Sequence, residues 1–201
     1  MKRIIYLITA LLMTSSSYSQ TAEEYFNRGL EKHNLQDYKG AIEDYTKAIE
    51  LGPKYVKAYT NRGVAKGNLQ DYRRAIADFD TAIELNPEDA EAYNNRGVAK
   101  ENLQDHKGAI EDYTKAIEIN PKYSNAYYNR GLAKYPLQDY RGAIEDYTKA
   151  IEINPEFANA YCNRGVAKIV LGQKDSGCSD FRKAAKLGLA AANDAIKELC
   201  Q

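Results

Sequence analysis

Three sets of side chains in this sequence could do chemistry. The two histidines, His33 and His106, stand far apart, and neither has a second His or Cys at metal-ligand spacing. His106 occupies a place that Tyr38, Tyr72 and Tyr140 hold elsewhere, so it reads as a packing substitute. His33 reads as an exposed or groove-lining residue. The cysteines are Cys162, Cys178 and Cys200. The third set is a double series in step: Arg28, Arg62, Arg96, Arg130 and Arg164, with Asp44, Asp78, Asp112, Asp146 and Asp180. Ion pairing is the chemistry such a series suggests, because a charge on the inner side of a helix is costly unless it is matched. Binding of an anion by the arginines is the alternative. No Ser-His-Asp or Cys-His arrangement and no glycine-rich phosphate loop accompanies these residues. The expectation is therefore a protein with no catalytic residue, no metal and no cofactor.

The elements that must position these groups are repeated units. Tyr25-Phe26-Asn27-Arg28-Gly29 returns as Tyr59 to Gly63, Tyr93 to Gly97, Tyr127 to Gly131 and Tyr161 to Gly165, always 34 residues on. Counting Ala22 as position 1, the units are 22–55, 56–89, 90–123, 124–157 and a divergent fifth at 158–189, followed by 190–201. Each unit reads as two helices. The first carries Tyr, Asn, Arg and Gly at positions 4, 6, 7 and 8. Asp37, Asp71, Asp105 and Asp139 suit the N-cap of the second, and Pro53, Pro87, Pro121 and Pro155 close it. Ala41, Ile42, Tyr45, Ala48 and Ile49 show the inward stripe of that second helix at helical spacing. One pair of helices cannot bury such a stripe alone, whereas stacked pairs create a continuous core.

With 28 basic and 28 acidic residues the chain is neutral and has no basic block, which argues against nucleic acid as a partner. Residues 1–19 read as a signal peptide: Lys2 and Arg3, an apolar run from Ile4 to Met13, then small residues before an expected cleavage near Gln20. That run is too short to span a bilayer, so no stable membrane insertion is expected. The expected location is outside the cytoplasm, periplasmic or extracellular. Pro136 replaces an Asn at the end of a first helix and should shorten or bend it. Ala192, Ala195, Ile196 and Leu199 share one face of a final helix that would cap the stack. Cys178 and Cys200 should lie at the same end of the hairpin that turns near Gly188. In an exported protein they could form a disulfide that staples the cap; two buried free thiols is the other reading.

Period, helix lengths, the Gly and Ala pair, the aromatic at position 24 and the terminal Pro resemble the tetratricopeptide repeat family over 22–191. Position 4 departs from the family in being Tyr in place of Trp, and position 7 in being Arg in place of Leu. The resemblance implies an all-α fold, a right-handed α-solenoid of five helix-turn-helix repeats plus a C-terminal capping helix. It also implies a concave surface, lined by the first helices, that takes a peptide or a partner helix. Positions 2, 5, 9 and 12, with 6 and 13 beside them, should face that groove. Position 6 is always Asn, in Asn27, Asn61, Asn95, Asn129 and Asn163. A column of carboxamides can meet a peptide backbone as donor and acceptor, or each can bond within its own helix surroundings. Tyr128 and Tyr135 are the two tyrosines of the mature chain that packing positions do not explain, and they flank Leu132. With Val98, Cys162, Val166 and Ile169 extending it, this patch is the expected anchor. The Lys and Asn that hold a terminal carboxylate in some family members are missing at positions 5 and 9, so that mode is not expected. The expected function is a non-catalytic protein-interaction scaffold; a structural spacer at the cell envelope, or a regulatory arm of an enzyme complex, is the alternative.

Overall fold

The computed structural model describes residues 21–200. The expected signal peptide at 1–19 lies outside the described residues. Within them the chain is helical throughout: α1 (Ala22–Asn34), α2 (Tyr38–Leu51), α3 (Val56–Asn68), α4 (Tyr72–Leu85), α5 (Ala90–Asn102), α6 (His106–Ile119), α7 (Ser124–Lys134), α8 (Tyr140–Ile153), α9 (Ala158–Val170), α10 (Lys174–Lys186) and α11 (Ala190–Leu199). Consecutive helices pack as antiparallel hairpins, and each second helix also packs on the first helix of the next unit. From α1 to α7, successive first helices also touch one another, which makes them the inner layer of the stack.

The turns explain where the helices begin. Gln36, Gln70, Gln104 and Gln138 end the first helices in the left-handed region, with φ of 62, 62, 63 and 60°. The next residue is the Asp N-cap, whose carboxylate accepts from the backbone N–H three residues on. That donor is Gly40, Gly108 or Gly142 at 3.0 Å. A Cβ at these glycines would stand 2.2 or 2.3 Å from Oδ2 of the same carboxylate, beside the Oδ1 that accepts the bond. Where Arg74 takes the place, the bond lengthens to 3.4 Å. The fifth unit changes device: Gly172 takes the left-handed turn and Gln173 caps with no side-chain bond.

Each hairpin is locked by a ring lying on a glycine. A Cβ added to Gly29, Gly63, Gly97, Gly131 or Gly165 would come within 2.6 to 2.8 Å of the ring at Tyr45, Phe79, Tyr113, Tyr147 or Phe181. Those rings are fully or almost fully buried. Alanines seal the rest: Ala58, Ala65, Ala75 and Ala82 have no exposed surface, and their alanine counterparts in the other units are buried as well. The first unit differs, with no unit before it among the described residues. Glu24 and Glu31 stand where later units bury Ala58 and Ala65, and both are exposed. Glu24 also forms a capping box with Thr21.

Pro136 acts as its position suggests. Helix α7 stops at Lys134, and Tyr135–Leu137 forms a single 3-10 turn. At the far end α11 covers α10 and buries Ala192 completely. Cys178 and Cys200 are disulfide-bonded across this hairpin, with their Cα atoms 5.7 Å apart. Cys162 is free and half-buried.

Candidate functional site

The arginine series is consumed within the stack. In every unit the guanidinium binds its own Asp through two nitrogens, Nε and Nη2. Nη2 lies 2.7 Å from Asp78 in Arg62 and 2.6 Å from Asp112 in Arg96. A lysine four residues further along the same helix joins each Asp: Lys66 at 2.6 Å from Asp78, and Lys100 and Lys134 at 2.8 Å from theirs. The tyrosine one turn earlier stacks on the guanidinium, 4.7 Å away for Tyr25 and Arg28, and 5.4 Å for Tyr93 and Arg96. The remaining nitrogen, Nη1, crosses to the preceding unit. It donates to Thr46 from Arg62 at 3.1 Å, and to Thr114 and Thr148 from Arg130 and Arg164 at 3.0 Å. From Arg96 it reaches the Asp80 carboxylate at 2.7 Å.

From Arg62 to Arg164 arginine is thus the mortar between units, with all three of its nitrogens engaged. Burial works against the charge of Arg96, but the hydrogen bonds to Asp112 and Asp80 outweigh it and hold its pKa above the ordinary range. The Arg28 hydrogen bond likewise draws the Asp44 carboxyl below its usual range, against the effect of burial.

The groove positions divide. Position 5 turns inward: Phe26, Thr60 and Asn94 are buried, and Tyr128 and Cys162 are half-buried. The expectation that position 5 is open to the groove is corrected here. The reason is the space between the second helix and the next turn, which Phe26 and Tyr128 fill in the first and fourth units. Phe26 stacks on Tyr45 and Tyr55 at 5.7 and 5.0 Å, and Tyr128 on Tyr147 and Phe157 at 5.8 and 4.7 Å. The Tyr128 hydroxyl accepts from Asn163 Nδ2 at 2.9 Å.

Tyr135, carried on the 3-10 turn, meets Tyr140 edge-on at 5.0 Å. It joins Leu132, Pro136, Tyr147, Asn163 and Val166 around a pocket of about 240 Å³ between the fourth and fifth units. Leu132 and Val98 are more than a third exposed, at 36% and 38%.

The asparagines split between the two readings. Asn129 donates to Asn94 at 3.0 Å, as Asn163 does to Tyr128, so these two tie adjacent first helices. Asn61 donates to Lys57 O of its own helix at 2.9 Å. Asn95 accepts from Asn94 at 3.3 Å. Asn27 lies exposed on the first unit.

A second pocket of about 260 Å³ lies between the second and third units, around Gly67. Sequence reasoning passed over it. Its signal was present: position 12 is His33, Glu101, Tyr135 and Ile169 in the other units and glycine only here.

The histidines are structural. His106 Nδ1 is 2.9 Å from Glu101 Oε1. His33 Nε2 faces Asn68 Nδ2 at 3.4 Å, its ring is edge-on to Tyr38 at 5.2 Å, and its Nδ1 is buried with no partner among the described residues. Burial lowers the His33 pKa from 6.5. The unfolded chain therefore binds this proton more readily than the folded one, so His33 supports folding above about pH 6.5 and that support fades as the pH falls below it. The thermal midpoint should accordingly drop between about pH 7 and 5.5 more in the wild type than in His33→Gln. Parallel pH profiles for the two proteins would exclude this residue as the cause.

Among the described residues, no three His, Cys, Asp or Glu side chains converge as a metal set, and no helix is long and apolar enough to cross a membrane.

A molecule built this way is a helical repeat scaffold, whose surface is assembled by stacking and whose pockets draw on two units at once. Comparison with known proteins supplies the family. Family models described as tetratricopeptide repeat match residues 22–55, 60–124 and 112–145, and one described as TPR repeat matches 134–169. The crystal structure of MamA is similar at 30% identity and a TM-score of 0.73, over 82% of this chain and 96% of that one. The chain belongs to the tetratricopeptide repeat family. MamA from Desulfovibrio magneticus RS-1, residues 41 to the end, shares the fold at 22% identity and a TM-score of 0.75, covering 83% of this chain and 94% of that one. YrrB, a TPR protein with an unusual peptide-binding site, shares it at 22% identity and a TM-score of 0.70, covering 88% and 92%. No curated protein matches the chain by sequence.

Proposed function

We propose that the chain is a non-catalytic interaction scaffold that holds a segment of a partner protein along its inner surface. The observation that carries this is the pocket of Leu132, Tyr135, Pro136 and Val166, whose apolar walls are left open between two otherwise tightly packed units. Exposed apolar side chains grouped in a concavity mark binding sites more often than chance exposure does. A peptide-binding site in YrrB, a protein of the same fold, agrees with the reading. The reading places the protein outside the cytoplasm, on the charged and apolar start of the chain and on a disulfide that an oxidising compartment would keep.

The test is capture of partners from an envelope extract, followed by titration of a purified partner. The mature chain should show saturable binding, weakened at least about tenfold by Leu132→Asp with Tyr135→Ala, as expected for loss of a buried anchor. An unchanged set of partners and affinities would return these side chains to a packing role.

A further inference from the structure

This inference rests on the scaffold reading and specifies what one part of the inner surface takes. The seam between α3 and α5 is where the repeat loses packing at both ends. At one end Gly67 leaves its place empty, with nothing within 4 Å of where a Cβ would stand. The pocket there has an apolar floor of Val64, Tyr72, Phe79 and Val98, with Asn68 and Asn95 at its rim.

At the other end the aromatic pair of the first and fourth units is missing. Phe26 with Tyr55 and Tyr128 with Phe157 fill that place by stacking. The second unit has Thr60 and Asp89 there, and a pocket of about 550 Å³ opens instead. Glu88, Asp89 and Glu91 line it against a single cation, Lys57. Neither Glu88 nor Glu91 is ion-paired among the described residues. Asp89 holds the N-terminus of α5 through Oδ1.

We propose that this seam binds an extended segment of a partner protein that carries one aliphatic side chain for the Gly67 pocket and one lysine or arginine for the acidic end. The charge excess at that end selects a cation, and the apolar floor at the other selects a side chain without polar atoms. Gly67 and Lys57 are separated by most of α3, about 15 Å at helical rise. An extended chain crosses that distance in about four or five residues. The carboxamides between the ends suit a backbone. Asn61 spends its Nδ2 on Lys57 O and keeps its Oδ1 for an N–H. Asn95 spends its Oδ1 on Asn94 and keeps its Nδ2 for a carbonyl.

The experiment uses the mature chain and fluorescently labelled synthetic peptides with one Lys and one Leu set two to seven residues apart in a Ser/Ala background, read by anisotropy. Binding should peak at a separation of about four or five. It should fall at least about tenfold with Gly67→Tyr, or when Leu is replaced by Ser, because the anchor is then lost. Glu91→Lys should weaken it and flatten its salt dependence. His33, Glu101 and Ile169 stand at the position of Gly67 inside the helices of other units. The helix therefore accommodates a side chain there, and a circular dichroism melt verifies the fold of the variant. Leu132→Asp should leave this binding intact. Saturable binding lost in Leu132→Asp and unchanged in Gly67→Tyr and Glu91→Lys would overturn this inference while sparing the scaffold reading. Binding with no dependence on spacing overturns it too. A captured protein partner that none of the inner-surface variants affects removes both.

Discussion

Asp112→Ala should lower the stability of the folded chain by about 3–5 kcal/mol, the cost of leaving a buried ion pair with one partner missing. The carboxylate is 3% exposed and neutralises two cations, Arg96 Nη2 at 2.6 Å and Lys100 at 2.8 Å. Once it is removed, Lys100 has no carboxylate, and Arg96 keeps only Asp80 on the preceding unit as an anionic partner, beside the Tyr93 ring. Asp112→Asn should recover little, because the amide returns the shape but also points a donor at a donor. Replacing the cluster as a whole, with Asp112→Leu, Arg96→Met and Lys100→Met, should restore much of the loss, since desolvation of the charges disappears with them. The site lies in the third of five units, so the damage should spread. Stability in a stacked repeat is a sum of units and of nearest-neighbour interfaces, and a failed middle unit uncouples the two halves. Urea titration followed by circular dichroism should show two transitions in Asp112→Ala where the wild type shows one. A single transition shifted by less than about 1 kcal/mol would mean that the cluster contributes no more than a surface pair does.

Cys200→Ser should destabilise the last hairpin by about 3 kcal/mol, the chain-entropy value for a closed loop of the observed sequence separation of 22. The effect should be local. Helix α11 packs on α10, the last such pairing among the described residues. Its own apolar contribution is small, for Ala192 is its one fully buried residue. Without the bond, amide exchange along α11 should rise toward the rate of a free helix, whereas α1 to α6 keep their protection. Reductant should reproduce the effect in the wild type and do nothing further to Cys200→Ser. Cys162→Ser is the control, because Cys162 is free and lies on α9, away from the bond. Unaltered exchange in α11 after reduction would show that packing alone holds the cap.

The repeat explains why so much of this molecule can be read from residues. A glycine opposite an aromatic, an Asp before a helix and a Pro after it act over one or two turns. Their consequences are therefore local, and repetition states the first of them five times and the other two four times. Arg28 and Asp44 recur in step, and that alone points to pairing. Their helices are adjacent in sequence, so the hairpin brings them together without help from the rest of the fold. That Pro136 would shorten or bend α7 was legible for the same reason, since it removes a donor from its own turn, and the outcome is a helix that ends at Lys134.

What stacking decides is of another kind. Whether Arg62 continues from Asp78 to Thr46 depends on how one unit leans on the last, and no pattern within a unit records it. The inward turn of Tyr128 depends on Phe157, which arrives from the following turn to close over it. The same geometry gives the Asn163 amide a partner and leaves that of Asn95 without one among the described residues, although both open the same Asn-Arg-Gly-Val-Ala-Lys run. The empty place at Gly67 becomes a pocket only when α5 stands beside it. The units themselves were therefore determined by short-range chemistry written in the chain. The surface that meets a partner was decided by contacts between units, because each pocket wall belongs to a helix 34 residues away from the wall it faces.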